Sequence, residues 1–435
     1  MSRYGILSHG PVQAGDLAVV VGGGVSGLAA AALLRRLGAR VRLLDKKPFS
    51  RDFMHKAAPL ELELVSGAHL PEHFQGAALV VPSPGVPWTV LEPLLIQAGN
   101  PACLSELELA AAFVSEKIIA VTGTSGKTTT VSLIAAMFKA AGKKVFLGGN
   151  IGTPLSAYIL EREAGAPPAD ALVLEVSSFQ LQLTRAFHPQ VALLLNLSPN
   201  HLDQHKDFAE YEAAKLRIFA NQTPADTAIL GEELFSLAQR HPLRARVEYF
   251  AAGRRFPQAQ LQGRHNQANM EAAFLAARAL GVTEAQAAAA TRDFAALPHR
   301  LEKVGEYAGV LYIDDSKGTT VEALRAALQS LDRPAFLLAG GVFKGGDLES
   351  LRPLLREKIK AVALFGGSRE HFEKAWQNTV AMSWDENLEA AVCRARDAAR
   401  PGEAILLSPA TSSFDQYADY KARGDDFKRL AEQTP

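Results

Sequence analysis

Short apolar runs alternate with amphipathic helical stretches along almost the whole chain, and this alternation limits the fold more than any other feature. Residues 17–23 (LAVVVGG) read as a buried strand, 25–38 as a helix, 39–45 (ARVRLLD) as a strand and 77–83 (AALVVPS) as another. Repeats of this kind build parallel α/β units. A second series follows a break at Gly99, Asn100 and Pro101: strand 117–123, helix 127–141, and strands 143–149, 171–177 and 191–197. A third opens after LPHR at 297–300, with strands at 310–316, 335–341, 361–367 and 404–410. Near-continuous Val, Leu and Ala in these runs fit strands covered on both faces. At roughly 150 residues per domain, the 435 residues divide into three α/β domains, 1–105, 106–297 and 298–435.

Lys and Arg total 46 and so do Asp and Glu, giving a net charge of zero. Nothing global draws such a chain to nucleic acid or to an anionic membrane, so an anionic ligand must be held by a local site. The two cysteines, Cys103 and Cys393, have no metal-like spacing, which suits a reducing compartment. The most apolar run, 17–34, is broken by Gly22, Gly23, Gly24, Ser26 and Gly27, so no membrane span is expected. No basic run precedes an apolar core at the N-terminus, and a cytoplasmic location is expected.

The most specific local signal is IAVTGTSGKTTT at 119–130. A strand runs into a glycine turn and a helix begins at or just after Gly126. Gly123 and Gly126, with Thr124 and Ser125 between them, let the backbone curl so that successive N–H groups face inward at an anion. Lys127 adds a point charge for β- and γ-phosphates, Thr128 a hydroxyl for Mg²⁺, and the helix N-terminus its partial positive charge, with Thr129 following. The strict pattern wants glycine where Val121 stands, so this is a shortened variant.

A second glycine turn, residues 22–27 (GGGVSG), contains Gly24 and Ser26, and Asp45 ends the next strand. Alone, this turn also suits a dinucleotide-dependent oxidoreductase. Two phosphate-cradling turns in one chain favour two nucleotide-bearing substrates instead. Glu175, at the end of strand 171–177, and His201 and Asp203, after strand 191–197, fall where parallel strand ends share a crevice with the phosphate loop. A carboxylate and an imidazole there would suit Mg²⁺. From its pattern alone, Lys215 in AEYEAAKLRIF reads as a solvated lysine.

TGTSGKTTT, LEVSSFQL, NLSPNHLDQH, EAAKLRIF, GRHNQANMEAA, LPHRLEKV, DDSKGTTVEAL and LLSPATSSFDQYADYKARGDDF occur in that order. Together they resemble the Mur ligase family over nearly the whole chain, and within it the branch that adds D-glutamate to UDP-N-acetylmuramoyl-L-alanine. The resemblance implies a Rossmann-like N-terminal domain, a central ATPase-like domain with a mostly parallel sheet, and a Rossmann-like C-terminal domain. It implies a cytoplasmic monomer that uses ATP and Mg²⁺, with small molecules as partners. The loop 123–129 would bind ATP, and Glu175 and His201 would hold Mg²⁺ with Thr128. Lys215 corresponds to a lysine carbamylated by CO₂, whose anion helps organise the metal. Asn266 and Asn269 would lie on the adenine side, Arg300 would meet phosphates from the hinge, and Asp315 would contact the ribose with Lys317 nearby. Asp45, Ser83, Pro84 and Gly85 would hold the uridine diphosphate end, and Asn150 the muramoyl-alanine. Thr319, Lys344, Ser413 and Phe414 would receive glutamate, whose side-chain anion calls for a local cation. Ser125, Asn200, and Lys46 with Lys47 stand where relatives carry other residues. A P-loop ATPase switch and a ligase for another amino acid are the remaining alternatives, and closure of the third domain about 296–300 is expected to exclude water.

Overall fold

The computed structural model describes residues 12–199, 205–261, 263–295 and 297–433. Each strand series forms one sheet. The first, all parallel, runs in the order Glu63–Ser66, Arg40–Asp45, Leu17–Val21, Ala77–Pro82, Ala102–Cys103. The second, also parallel, runs Arg246–Phe250, Thr227–Gly231, Val191–Leu194, Lys117–Thr122, Ala171–Glu175, Val145–Gly149. The third runs Glu302–Tyr307, Val310–Asp314, Ala404–Leu407, Ala335–Gly340, Ile359–Phe365, Ala381–Asp385. Its Glu302–Tyr307 edge is antiparallel to Val310–Asp314, and its other pairs are parallel.

The apolar runs become strands because both faces are covered. Val191–Leu194, Ala171–Glu175 and Ala335–Gly340 are buried at every position. A fully buried Leu or Val contributes about 1.5–3 kcal/mol relative to exposure, so these strands hold the sheets together. Val20, Leu43 and Leu79 of the first sheet and Ala120, Leu174 and Leu194 of the second belong to one buried cluster. The first two sheets therefore lie in one compact unit and the third in another. The expected helix at 25–38 is Val25–Arg36: Leu37 caps it, and Gly38 reverses the chain at φ +87° into the next strand. No helix among the described residues is long and apolar enough to cross a membrane.

The topology fixes where chemistry can happen. In the second sheet, Lys117–Thr122 lies between Val191–Leu194 and Ala171–Glu175, so three strand ends open at one edge. In the third, Ala404–Leu407 lies between Val310–Asp314 and Ala335–Gly340, which groups the loops after those three strands. Such carboxyl ends are where open α/β sheets take ligands.

Candidate active site

At the edge of the second sheet the chain leaves Thr122 and turns through Gly123, at φ +153°, and Gly126, at φ +82°. A Cβ on Gly126 would lie 2.5 Å from Asn269 Oδ1, and one on Gly123 2.9 Å from Leu195 Cβ, so both positions need glycine for space as well as for backbone angle. The helix Lys127–Ala140 starts directly afterwards with Gly126 as its N-cap. Lys127 Nζ donates to the carbonyls of Gly123, at 2.8 Å, and Thr124, at 3.0 Å, which folds the ammonium over the loop. The Ser125 amide donates to Asn196 Oδ1 at 2.9 Å, and the Thr124 amide to the Asn196 carbonyl at 3.1 Å. Asn196 thus braces the loop from the neighbouring strand. The sequence did not single it out; its place just past an apolar run is the one signal that could have found it.

Beside the loop, Thr128 Oγ1 donates to Glu175 Oε2 at 2.6 Å, and Asn150 Nδ2 donates to Glu175 Oε1 at 3.0 Å. Glu175 is buried, and its strand pairs with both the loop strand and the strand that delivers Asn150. Lys215 lies in the helix Phe208–Leu216, capped by Asp207 Oδ1, which accepts from the Glu210 amide at 2.8 Å. Phe208, Tyr211, Lys215 and Ile218 share one helical stripe, so Lys215 faces inward with Tyr211. It is 2% exposed, and the solvated reading from its pattern is wrong. Its Nζ donates to Gly123 O at 3.0 Å and Thr122 Oγ1 at 3.2 Å, and lies 4.7 Å from the Tyr211 ring centre. Burial, then the Lys127 charge, holds its amine well below the usual lysine range, while Glu175 opposes the shift. Tyr211, which the sequence did not single out, also bonds through its hydroxyl to Thr124 Oγ1 at 3.0 Å. His201 and Asp203, together with Asn200, lie outside the described residues. The second histidine of that motif, His205, is buried, bonds Ser178 Oγ at 2.9 Å and stacks on Phe179.

The front glycine turn is tied to the strand beside it. The Gly23 amide donates to Asp45 Oδ2 at 2.7 Å, the Lys47 amide to Asp45 Oδ1 at 2.8 Å, and Ser83 Oγ to Gly22 O at 3.2 Å. Gly24 and Gly85 are exposed and Ser26 is half-buried. Ser83 and Pro84 line a small pocket with Trp88, Phe179 and Gln182.

In the second unit, His299 takes φ +61° and Leu301 +49°, holding Arg300 between two left-handed residues. His299 Nδ1 bonds buried Asp314 Oδ2 at 2.7 Å, and its amide donates to Glu302 Oε2 at 2.7 Å. Asp315 is buried, accepts from Ser408 Oγ at 2.7 Å, and is pushed up to about 7 by burial. Lys317 lies 5.1 Å from the Tyr420 ring centre. Asn266 stands in the first turn of the helix Arg264–Ala279. Val342 and Ser412 exchange backbone hydrogen bonds at 2.9 and 3.0 Å, which brings the loop of Lys344 alongside that of Ser413. Thr319 and Lys344 are half-buried, Ser413 is buried, and Phe414 is 71% exposed.

Two family models cover these regions: the Mur ligase middle domain matches residues 121–251, and the Mur ligase glutamate ligase domain matches 299–411. An NAD(P)-binding Rossmann-like domain model matches 20–50, the front glycine turn. The chain is 56% identical to the UDP-N-acetylmuramoylalanine–D-glutamate ligase of Oleidesulfovibrio alaskensis, over 96% of this chain and 94% of that protein. It is 54% identical to the enzyme of that name from Nitratidesulfovibrio vulgaris strain DP4, over 97% of each. Among solved structures it resembles the MurF ligase of Thermotoga maritima in complex with ADP, at TM-score 0.62 and 17% identity, over 98% of this chain and 96% of that one. With two domain models and near full-length identity above half agreeing with the loop geometry, the chain belongs to the Mur ligase family.

Proposed function

We propose that the chain joins the amine of D-glutamate to the alanyl carboxylate of UDP-N-acetylmuramoyl-L-alanine while ATP is converted to ADP and phosphate. The observation that carries the reading is the cluster of Lys127, Thr128, Glu175 and Lys215 around one glycine loop. Relatives that share more than half of the sequence bear the name of that ligase.

The alanyl carboxylate attacks the γ-phosphorus of ATP; the bond from that phosphorus to the bridging oxygen breaks, and ADP leaves. The acyl phosphate then meets the neutral amine of glutamate, and a tetrahedral intermediate expels inorganic phosphate. Lys127 and Arg300 neutralise charge on the transferring group, each such fixed cation contributing on the order of a few kcal/mol. Lys127 must swing from the carbonyls of Gly123 and Thr124 to do so.

Hydroxyl and carboxylate oxygens 2.6 Å apart at Thr128 and Glu175 are the hard donors that Mg²⁺ prefers. Those two residues, with His201, would hold the ion, which when bound supplies charge neutralisation beside the phosphates. Burial favours the neutral amine of Lys215, the form that attacks CO₂: a nitrogen–carbon bond forms, a proton leaves, and the amine becomes a carbamate anion beside that oxygen pair. Residues 1–105 would take the uridine end through Gly24, Ser26, Asp45, Ser83, Pro84 and Gly85. Residues 106–297 would take ATP, with Asn150 on the muramoyl-alanine. Residues 298–435 would take glutamate through Thr319, Lys344, Ser413 and Phe414, with Asp315 and Lys317 near the ribose. A cytoplasmic monomer suits substrates that are all small soluble molecules.

The test is phosphate release with UDP-N-acetylmuramoyl-L-alanine, ATP and Mg²⁺ across a panel of D- and L-amino acids. Release that depends on D-glutamate supports the reading. Release with no amino acid present would instead point to an ATPase switch.

A further inference from the structure

Outside the groups used above, the first unit holds a larger cavity, about 580 Å³, between the edge strand Ala102–Cys103 and the turn after Ser178–Gln182. That size falls in the range of sites for small organic ligands. Its wall is mixed and carries no acid. Trp88, Leu95 and Leu183 give a flat apolar side; Gln182 and Thr184 give neutral polar groups; Arg185 and Arg217 are its only charged residues. Cys103 adds no negative charge, because burial pushes its thiol up to about 12. The acids nearby are turned to other work. Glu108 accepts from the amides of Ala186, at 2.7 Å, and Phe187, at 2.9 Å, and Glu210 accepts from Gln182 Nε2 at 3.2 Å. Arg217 Nη2 donates to the Thr184 carbonyl, which fixes that guanidinium against the wall. Both arginines are exposed.

Two arginines and one indole share the wall of this cavity, in a protein of zero net charge. We propose that this cavity binds a small organic anion with a flat body and a phosphate or carboxylate head, the head on Arg185 and Arg217 and the body on Trp88. Planar guanidinium forks suit such heads, and the indole face suits such bodies. Trp88, Gln182 and Leu183 also wall the small pocket that contains Ser83 and Pro84. Occupancy of the cavity therefore alters the affinity for the muramoyl nucleotide, and the nucleotide alters the affinity of the cavity by the same factor. This second half rests on the substrate assignment above; the first half does not.

The probe is phenyl phosphate, titrated calorimetrically into the full chain with ADP and Mg²⁺ saturating. One site is expected, weakened about tenfold by Arg185→Ala, the loss of one charge-assisted contact, and lost in Arg185→Glu. Both changes fall on an exposed side chain and leave the core untouched. No heat at millimolar probe, or equal binding to Arg185→Glu, would overturn the site. An unchanged affinity for the muramoyl nucleotide with the probe bound would remove the coupling. Failure of the ligase assay alongside intact probe binding would count against the assigned reaction and not against the cavity.

Discussion

Lys127 and Lys344 do different work in the proposed reaction, and kinetics separate them. Lys127 lies within hydrogen-bond reach of the phosphate loop. Lys127→Ala is expected to reduce turnover below detection at any glutamate concentration. Lys344→Ala removes the cation proposed to meet the glutamate side chain, so the KM for glutamate is expected to rise tenfold or more, by about 1.4 kcal/mol per decade, while kcat changes little. Equal loss of kcat in both variants would move Lys344 into the phosphate chemistry. Asp315 makes a pH prediction. Burial lifts its carboxyl from 3.8 to about 7, against the pull of Ser408 and Arg300. An acid that holds its proton more tightly when folded stabilises the fold at low pH; that contribution is complete below pH 3.8 and is lost as pH rises through about 7. Asp315→Asn, neutral throughout, removes this slope, so the urea midpoint of the wild type should fall relative to the variant across that window. Parallel midpoints would rule Asp315 out as the source. At this scale the sequence was legible where spacing carries chemistry, as in Gly123, Gly126 and Lys127. It was misread at Lys215, although a lysine inside the stripe of Phe208, Tyr211 and Ile218 is itself a sign of burial. Asn196 stayed hidden because its partner Ser125 lies 71 residues away, and the His299–Asp314 pair because its two residues, 15 apart, stand in separate motifs that only the fold brings together.

Between elements, Arg423 holds two loops at once. It stands in the first turn of the helix Tyr420–Glu432 and is fully buried. Its guanidinium donates to Ser316 O at 2.8 Å, Thr411 O at 3.2 Å and Ser316 Oγ at 3.0 Å, joining the loop after Val310–Asp314 to the loop after Ala404–Leu407. Arg423→Met keeps the stem and leaves two buried carbonyls without that donor. At about 1–3 kcal/mol for each buried group left unsatisfied, the third-sheet unit should lose roughly 2–6 kcal/mol in urea unfolding. Amide exchange should rise at Ser316 and Ser412 together. A loss confined to one loop would show that the two are anchored separately. Most strands that the sequence revealed have apolar runs covered on both faces, although the edge strand Val145–Gly149 was read and the buried strand Thr227–Gly231 was not. Glu302–Tyr307 and Arg246–Phe250 escaped because each is an edge strand with charged and half-buried positions. Edge strands carry half the pattern because only one side pairs and one face is wet. The antiparallel direction of Glu302–Tyr307 follows from the two-residue turn at Ala308, φ +49°, and Gly309, φ +76°, which sends the chain straight back.

The whole molecule has two compact units with separate cores, and the proposed contacts of the muramoyl nucleotide and of glutamate divide between them. The proposed contacts of the muramoyl nucleotide, from Gly24 to Asn150, all fall in the first unit, and those of glutamate, from Thr319 to Phe414, all fall in the second. A ligand that binds only the folded form of one unit stabilises that unit by about 2.7 kcal/mol at a hundred times its Kd, and leaves an independently unfolding unit where it was. The three tryptophans allow the units to be observed apart. Trp88 belongs to the first unit, and Trp376 and Trp384 to the second. In a Trp88→Phe protein the tryptophan signal reports the second unit alone, while circular dichroism reports both. The muramoyl nucleotide is therefore expected to raise a thermal transition seen by circular dichroism and to leave the fluorescence midpoint unchanged. Movement of both midpoints together would mean that the units unfold as one cooperative body, or that the nucleotide reaches the third sheet. Repeating the measurement with Arg423→Met separates those outcomes. If the units are independent, the variant lowers the fluorescence midpoint and leaves the nucleotide-raised circular dichroism transition of the first unit where it was; if they are cooperative, it lowers that transition too, because the cost of its buried carbonyls is then shared across both cores.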